Sequence, residues 1–281
     1  MNITNIAAYR FVRLSDLAHL RASLKEKCLA LELKGTILLA PEGINLFLSG
    51  GPERVQAFID HLSADTRFSR MGFKCSYSSH QTFNRMLVKL KKEIIATGRP
   101  DISPADNPAP AVSACEFKRW LDEGRDVVLL DTRNRYEISL GTFRNAHDLG
   151  IDTFRAFPEE IGKLDPAMKA KTIVTFCTGG IRCEKAAPAL LNAGFKNVYQ
   201  LSGGILKYFE EAGGAHYEGD CFVFDRRVAL NPQLKESGTV QCFNCLSPVT
   251  PEEQQSPDYV QDVSCPHCVE EKPVKRTVRV A

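Results

Sequence analysis

What is missing from these 281 residues removes several classes of function at once. No apolar run approaches the length needed to cross a bilayer. The first stretch, MNITNIAAYRFVRLSD, carries charges early and has no apolar core of signal-peptide length. A cytoplasmic protein with no membrane partner is therefore expected. Neither GxGxxG nor GxxxxGK(S/T) occurs, so no nucleotide cofactor of those kinds is expected. Neither sign of charge is in excess: 36 Lys and Arg against 34 Asp and Glu leave a formal net charge of +2. A polyanion would have to be met by a local basic patch, because the field of the whole protein is weak. Cysteine is not scarce. Ten of them in a reducing compartment read as metal ligands, reactive thiols or small core residues, and not as disulfides.

The composition is that of ordinary globular protein, 43% hydrophobic and 25% charged, and the length allows two cores. In the first hundred residues IAAYRFV (6–12), GTILLAP (35–41) and GINLFLSG (43–50) read as strands, as do GFKCSYS (72–78) and RMLVKLKKEII (85–95). DLAHLRASLKEKCLALEL (16–33) and PERVQAFIDHL (52–62) read as helices, the second opened by Pro52. That order predicts a ferredoxin-like βαββαβ domain over 1–95. Four prolines and few large apolar residues make 96–112 a linker. A helix capped by Ser113, with Glu116 three residues on, opens a second pattern. DVVLLD (126–131), KTIVTFC (171–177) and KNVYQLSGG (196–204) are short apolar runs separated by helical stretches. They predict an α/β domain with a parallel sheet over 113–220. The chain as a whole is thus α/β and α+β, with a small cysteine-rich tail over 221–281.

The stretch TFCTGGIRCEKAA (175–187) carries the chemistry. Ligands of open α/β sheets bind beyond the carboxyl ends of the strands. Cys177 stands at such an end, followed by Gly179, Gly180 and Arg182 and then a helix. The loop amides, the helix N-terminus and the arginine together favour a thiolate, which a nucleophilic cysteine needs. Asp131, ending the neighbouring strand, is a candidate to orient this loop, and Arg133 a candidate to bind an anionic group. Cys183 reads either as a resolving thiol or as a small buried residue.

LLDTRNRYEISLGTFRNAHDL, CTGGIRC and LSGGILKYFEE resemble a rhodanese domain over about 113–215, in which the strand-end cysteine carries a persulfide. Phosphatase relatives place an arginine six positions after the cysteine, where this chain has Cys183, so phosphate-monoester chemistry is disfavoured. APEGIN (40–45), the linker position, the CTGGIRC loop and GDCFVFDRRV (219–228) extend the resemblance, over nearly the whole chain, to the rhodanese-family tRNA uridine hydroxylases. The resemblance implies hydroxylation of C5 of the wobble uridine, with molecular oxygen as co-substrate, an essential cysteine at Cys177 and the anticodon arm of tRNA as partner. The alternative is a sulfurtransferase that carries a cysteine persulfide.

Two further features are legible. Cys242, Cys245, Cys265 and Cys268 form C-x2-C, nineteen residues, C-x2-C, the spacing of a closed structural zinc site. His267, inside the second pair, is surplus to it. Arg85, Lys89, Lys91 and Lys92 form a basic run in which alternate residues share one strand face, a surface able to track tRNA phosphates.

Overall fold

The computed structural model of the protein describes residues 2–99 and 101–269. The end of the expected 221–281 tail lies outside them. The N-terminal half runs β1 (Ile3–Phe11), α1 (Leu17–Ala30), β2 (Lys34–Ala40), β3 (Gly43–Gly50), α2 (Pro52–Ser63), β4 (Lys74–Ser78) and β5 (Met86–Leu90). Its sheet has the order β4-β1-β3-β2-β5. The first four strands are antiparallel neighbours in the ferredoxin-like order, and β5 is an added edge strand parallel to β2.

Strand alternation gives this sheet two different faces. Ile6, Ala8, Ile37, Leu39, Leu46, Leu48 and Val88 point to one side, where they pack with Leu20, Leu24 and Cys28 of α1 and Val55, Phe58 and Leu62 of α2. The i, i+4 and i, i+3 spacings of those helical residues make a single apolar stripe on each helix. The other face carries Asn5, Ala7 and Tyr9 with their cross-strand partners Ser49, Phe47 and Asn45. It is not left to water. The central domain and the 221–230 segment lie against it: Arg227 Nη1 donates to Ser76 Oγ at 2.8 Å, and Phe224 stands 6.1 Å from Phe47.

Segment 96–112 is not a free spacer. Ile102 and Ala109 are buried in the core of the central domain, and β6 (Ala111–Val112) joins its sheet. Prolines with interspersed small apolar residues look like a linker in sequence, but here they line the domain they precede.

The central domain continues with α3 (Ala114–Asp122), β7 (Val127–Asp131), α4 (Arg135–Ile138), β8 (Gly141–Phe143), β9 (His147–Asp148), α5 (Phe157–Glu160), β10 (Thr172–Phe176), α6 (Ile181–Asn192), β11 (Asn197–Leu201) and α7 (Gly204–Ala212). The sheet order is β6-β11-β10-β7-β9, with every pairing parallel. Helices cover both faces. Ile173 of β10 joins Phe157 and Leu190 on one side, while Val174 and Phe176 join Phe117, Phe143 and Tyr208 on the other. Burial on both sides is why β7 and β10 read as unbroken apolar runs. Ser113 Oγ accepts the Glu116 N–H at 3.2 Å and caps α3.

After β12 (Tyr217–Gly219), the hairpin β13 (Cys221–Phe222) and β14 (Ala229–Leu230) reaches back to the N-terminal half, where the Arg226 N–H donates to the Thr82 carbonyl at 3.1 Å. β15 (Val240–Gln241) and β16 (Pro248–Val249) then frame the first cysteine pair.

Candidate active site and metal centre

Cys177 follows β10 directly, and its side chain is 0% exposed. The chain turns back at Gly180, whose φ of +94° allows α6 to start at Ile181. The Gly180 N–H donates to Cys177 Sγ at 3.0 Å. The start of α7 pins the same loop: the N–H groups of Ile205 and Leu206 donate to the carbonyls of Cys177 and Thr178. At Gly204 (φ +69°) a Cβ would lie 2.3 Å from the Cys177 carbonyl oxygen and 2.7 Å from the Gly180 nitrogen. The second glycine of LSGG is therefore required by the cysteine loop, 27 residues upstream by numbering (204 minus 177).

Burial alone would push the Cys177 thiol up. The Cys183 thiol, the Arg182 guanidinium and the backbone amides of Arg182 and Gly180 outweigh it and hold Cys177 well below the ordinary cysteine range. Cys183 moves the opposite way, raised by its own burial and by the neighbouring thiolate. The pair is thus one thiolate beside one thiol, and Thr132 Oγ1 lies 3.8 Å from Cys183 Sγ.

Arg182 is not a free cation. Its Nη1 and Nη2 donate to the two oxygens of Glu137 at 2.5 and 2.6 Å, and both side chains are buried. The Glu137 carboxylate also accepts the Asn134 N–H at 3.1 Å, closing a capping box on α4, and the Thr178 hydroxyl at 3.3 Å. Burial would raise Glu137, but Arg182 holds its carboxyl below the usual range. The loop therefore sits on a buried ion pair, and the Gly180 N–H is the backbone donor in contact with the sulfur.

The N-terminal half completes the surroundings. Lys74 Nζ donates to the Gly179 carbonyl at 2.7 Å and lies 5.3 Å from the Tyr9 ring centre. Burial pulls the Lys74 ammonium down in pKa, and the Cys177 thiolate is the first of the groups that oppose this. Tyr9 Oη donates to Glu184 Oε1 at 3.0 Å. Lys185 of α6, buried, is held between Glu42 at 2.8 Å and Glu93 at 2.7 Å. Burial opposes ionisation of Glu93, yet Lys185 and the amides of Thr97 and Gly98 lower its carboxyl to about 2.

Two sequence candidates do not belong to this constellation. Arg133 is entirely buried and binds no external anion: its guanidinium grips Asp131 through Nε (2.9 Å) and Nη2 (2.6 Å) and also donates to the Gly141 carbonyl. Asp131 does not orient the cysteine loop, because its oxygens are taken by Arg133 and by the Thr142 hydroxyl at 2.8 Å. The two form an internal lock beneath the strand ends. Lys74, Tyr9 and Glu137 went unread in the sequence, and Gly204 reads there only as part of the glycine-rich strand end LSGG. Asn134-x-x-Glu137 is a capping-box signal that would have found Glu137, but a lone lysine in a short edge strand gives no such signal.

A small cavity of about 60 Å³ lies beside the loop, lined by Lys74, Phe47, Thr178, Leu206, Phe224 and Arg227. It has room for a molecule of a few atoms, whereas pockets for drug-sized ligands run to roughly 300 Å³ or more.

The four tail cysteines converge, all Sγ atoms within 4.8 Å of one another. The sulfurs stand 3.9 Å apart for Cys242–Cys268, 3.6 Å for Cys245–Cys265 and 3.7 Å for Cys265–Cys268. A tetrahedron with metal–sulfur bonds of about 2.3 Å has edges of about 3.8 Å, so the set fits a four-coordinate metal ion. His267 instead lies 2.9 Å from Glu253. Arg85, Lys89, Lys91 and Lys92 are exposed on and around β5, and none has an ion-pair partner among the described residues. No helix among the described residues is long and apolar enough to cross a membrane.

A strand-end thiolate loop on a parallel sheet and a split βαβ sheet define a two-domain rhodanese-type protein. Residues 3–94 match the family described as UPF0176 acylphosphatase like domain, and residues 113–211 match the Rhodanese-like domain. The protein named tRNA uridine(34) hydroxylase in Cupriavidus necator is 54% identical over 277 residues, covering 97% of this chain and 98% of that one. Those of the same name in Cupriavidus metallidurans and Ralstonia nicotianae are 55% and 53% identical, each over 275 residues, 96% of this chain and 98% of theirs. The chain belongs to the tRNA uridine(34) hydroxylase family.

Proposed function

We propose that this protein hydroxylates C5 of uridine 34 in the anticodon arm of cytoplasmic tRNA, with the Cys177 thiolate as the reacting group and molecular oxygen as co-substrate, one oxygen atom entering C5 and the other leaving as water with two electrons from an external thiol reductant. The observation that carries the reading is the Cys177 loop, a buried sulfur with a backbone N–H at 3.0 Å, in a chain that matches full-length hydroxylases end to end. The roles are divided. The N–H groups of Gly180 and Arg182 stabilise negative charge on the sulfur, Lys74 fixes the loop from the other domain, and the Arg182–Glu137 pair fixes its far side. The small cavity beside the loop suits a diatomic co-substrate. A uridine has to be turned out of its stack to approach.

Mass spectrometry of nucleosides from tRNA incubated with the purified protein tests this. 5-Hydroxyuridine should form in air and not under argon. Thiosulfate turnover without 5-hydroxyuridine would select the persulfide sulfurtransferase reading instead.

The RNA is assigned to the exposed basic run. Replacing Lys89, Lys91 and Lys92 together with Ala should weaken tRNA modification and reduce the slope of log affinity against log salt by roughly 2 to 3. Unchanged affinity would move the RNA elsewhere.

The metal is read as zinc, held by Cys242, Cys245, Cys265 and Cys268 and closed to substrate, so that it orders a module with almost no apolar core. Elemental analysis of protein purified without chelator should give one zinc per chain. Stripping it should make residues 240–268 exchange amide hydrogens freely while the two larger domains stay protected. Metal-free protein with a protected tail would refute the site.

A further inference from the structure

The second face of the N-terminal sheet runs out from under its cover. One cross-strand row on it reads Lys74, Ala7, Phe47, Thr36, Leu87. The row begins beneath the Cys177 loop, where Lys74 holds the Gly179 carbonyl. Its far end, four strand spacings or about 19 Å away, is open. There the sheet forms one wall of a groove of about 730 Å³ whose opposite wall is the four-cysteine module. Arg85, Leu87, Phe224, Arg226, Phe243 and Tyr259 line it.

Phe243 is the unusual member. It sits between Cys242 and Cys245 with 73% of its surface exposed, the most of any large apolar residue described. Its backbone is fixed: the Cys242 N–H donates to the Ser247 carbonyl and the Leu246 N–H to the Cys242 carbonyl, both at 2.9 Å. The ring is thus held out by a rigid turn and contributes nothing to a core. Charge around it is favourable to an anion. Arg226 is exposed with one contact, Nη1 to Asn84 Oδ1 at 2.9 Å, and Arg85 has no ion pair among the described residues. Of the two nearby carboxylates, Asp225 is consumed by Arg227, which leaves Asp262. Phe224 links the groove to the catalytic loop, since its ring also stands 5.9 Å from the Arg182 guanidinium carbon.

We propose that this groove is a single-stranded RNA subsite in which an unpaired base stacks on Phe243 while Arg85 and Arg226 bind the flanking phosphates. It rests on the tRNA reading above and adds where a nucleotide next to the target is held. A flat aromatic surface with cations beside it suits a polyanion whose every monomer carries a π-face. An acidic protein segment would use the arginines but has no need of an exposed rigid ring.

Fluorescence anisotropy of labelled oligouridylate on the full, zinc-loaded chain tests the proposal, using Cys177→Ser protein so that binding is read apart from turnover. Phe243→Leu, which keeps bulk but loses the π-face, should weaken binding about 5- to 160-fold with the salt slope unchanged. Phe243→Tyr should bind like the parent. Arg85→Ala with Arg226→Ala should lower the salt slope by about 1.4. If Leu and Tyr variants bind alike, whether both tight or both weak, the stacking role is overturned. A polyglutamate peptide that binds as tightly and is equally sensitive to Phe243→Leu would also overturn it, in favour of a protein partner. Failure to form 5-hydroxyuridine with these binding differences intact would remove the hydroxylation and leave the subsite standing.

Discussion

Cys177→Ser is expected to abolish 5-hydroxyuridine formation, by at least about 10³-fold, while the protein keeps its fold. Serine is nearly isosteric, and its oxygen can accept the Gly180 N–H that the sulfur accepts at 3.0 Å. What it cannot do is ionise in the range where the cysteine does. The pH profile gives an independent readout. The folded Cys177 is depressed, so the thiolate persists as pH is lowered past the free-thiol value of about 8.5, and activity should fall only as pH drops through the lower, folded value. Cys183→Ala removes the neighbouring thiol that favours that thiolate and should move the fall to higher pH. Retained tRNA modification by the serine variant would take Cys177 out of the chemistry, and an unmoved profile in Cys183→Ala would take Cys183 out of the tuning.

Glu137→Gln is expected to cost stability on a scale that few single substitutions reach, about 3–5 kcal/mol. It takes from the buried Arg182 guanidinium the carboxylate it now grips at 2.5 and 2.6 Å, and leaves it only the Cys177 thiolate as counter-charge. The melting temperature should fall by roughly 10 °C. Pairing Glu137→Met with Arg182→Met should restore much of the loss, because two apolar side chains bury without an unmatched charge. Acid should mimic the single variant. Glu137 is lowered in the fold, so its stabilisation is present above the unfolded carboxyl value of about 4.3 and is lost as pH falls through the folded value beneath it. A loss under about 1 kcal/mol in thermal or urea melts would show that water reaches the pair.

The features most legible in the sequence were those written locally. β7 and β10 are buried on both faces and so read as continuous apolar runs, and Gly180 with Arg182 announces a turn into a helix N-terminus. Cysteine spacing alone brought Cys242, Cys245, Cys265 and Cys268 together. What stayed hidden was the choice of partner for each charge. Asp131 and Arg133 look like site residues because they end a strand beside the loop, yet two residues of separation let them satisfy each other inside the domain. Lys74 and Tyr9 contribute through a domain contact between residues more than a hundred positions apart, which no local pattern records. Exposure was equally invisible. A low-pKa thiol ought to alkylate first, but Cys177 is shut in while Cys75 and Cys115 face solvent.

Lys185 has a consequence for inheritance. Its two counter-charges, Glu42 and Glu93, lie on the far side of the contact between the halves. A central domain excised and fused to some other neighbour would carry a naked cation where it expects a filled socket, and an N-terminal half moved alone would carry two carboxylates without their cation. Recombination that separates the halves therefore breeds misfits on both sides of the cut. This pair of domains has to travel through descent as a single heritable part.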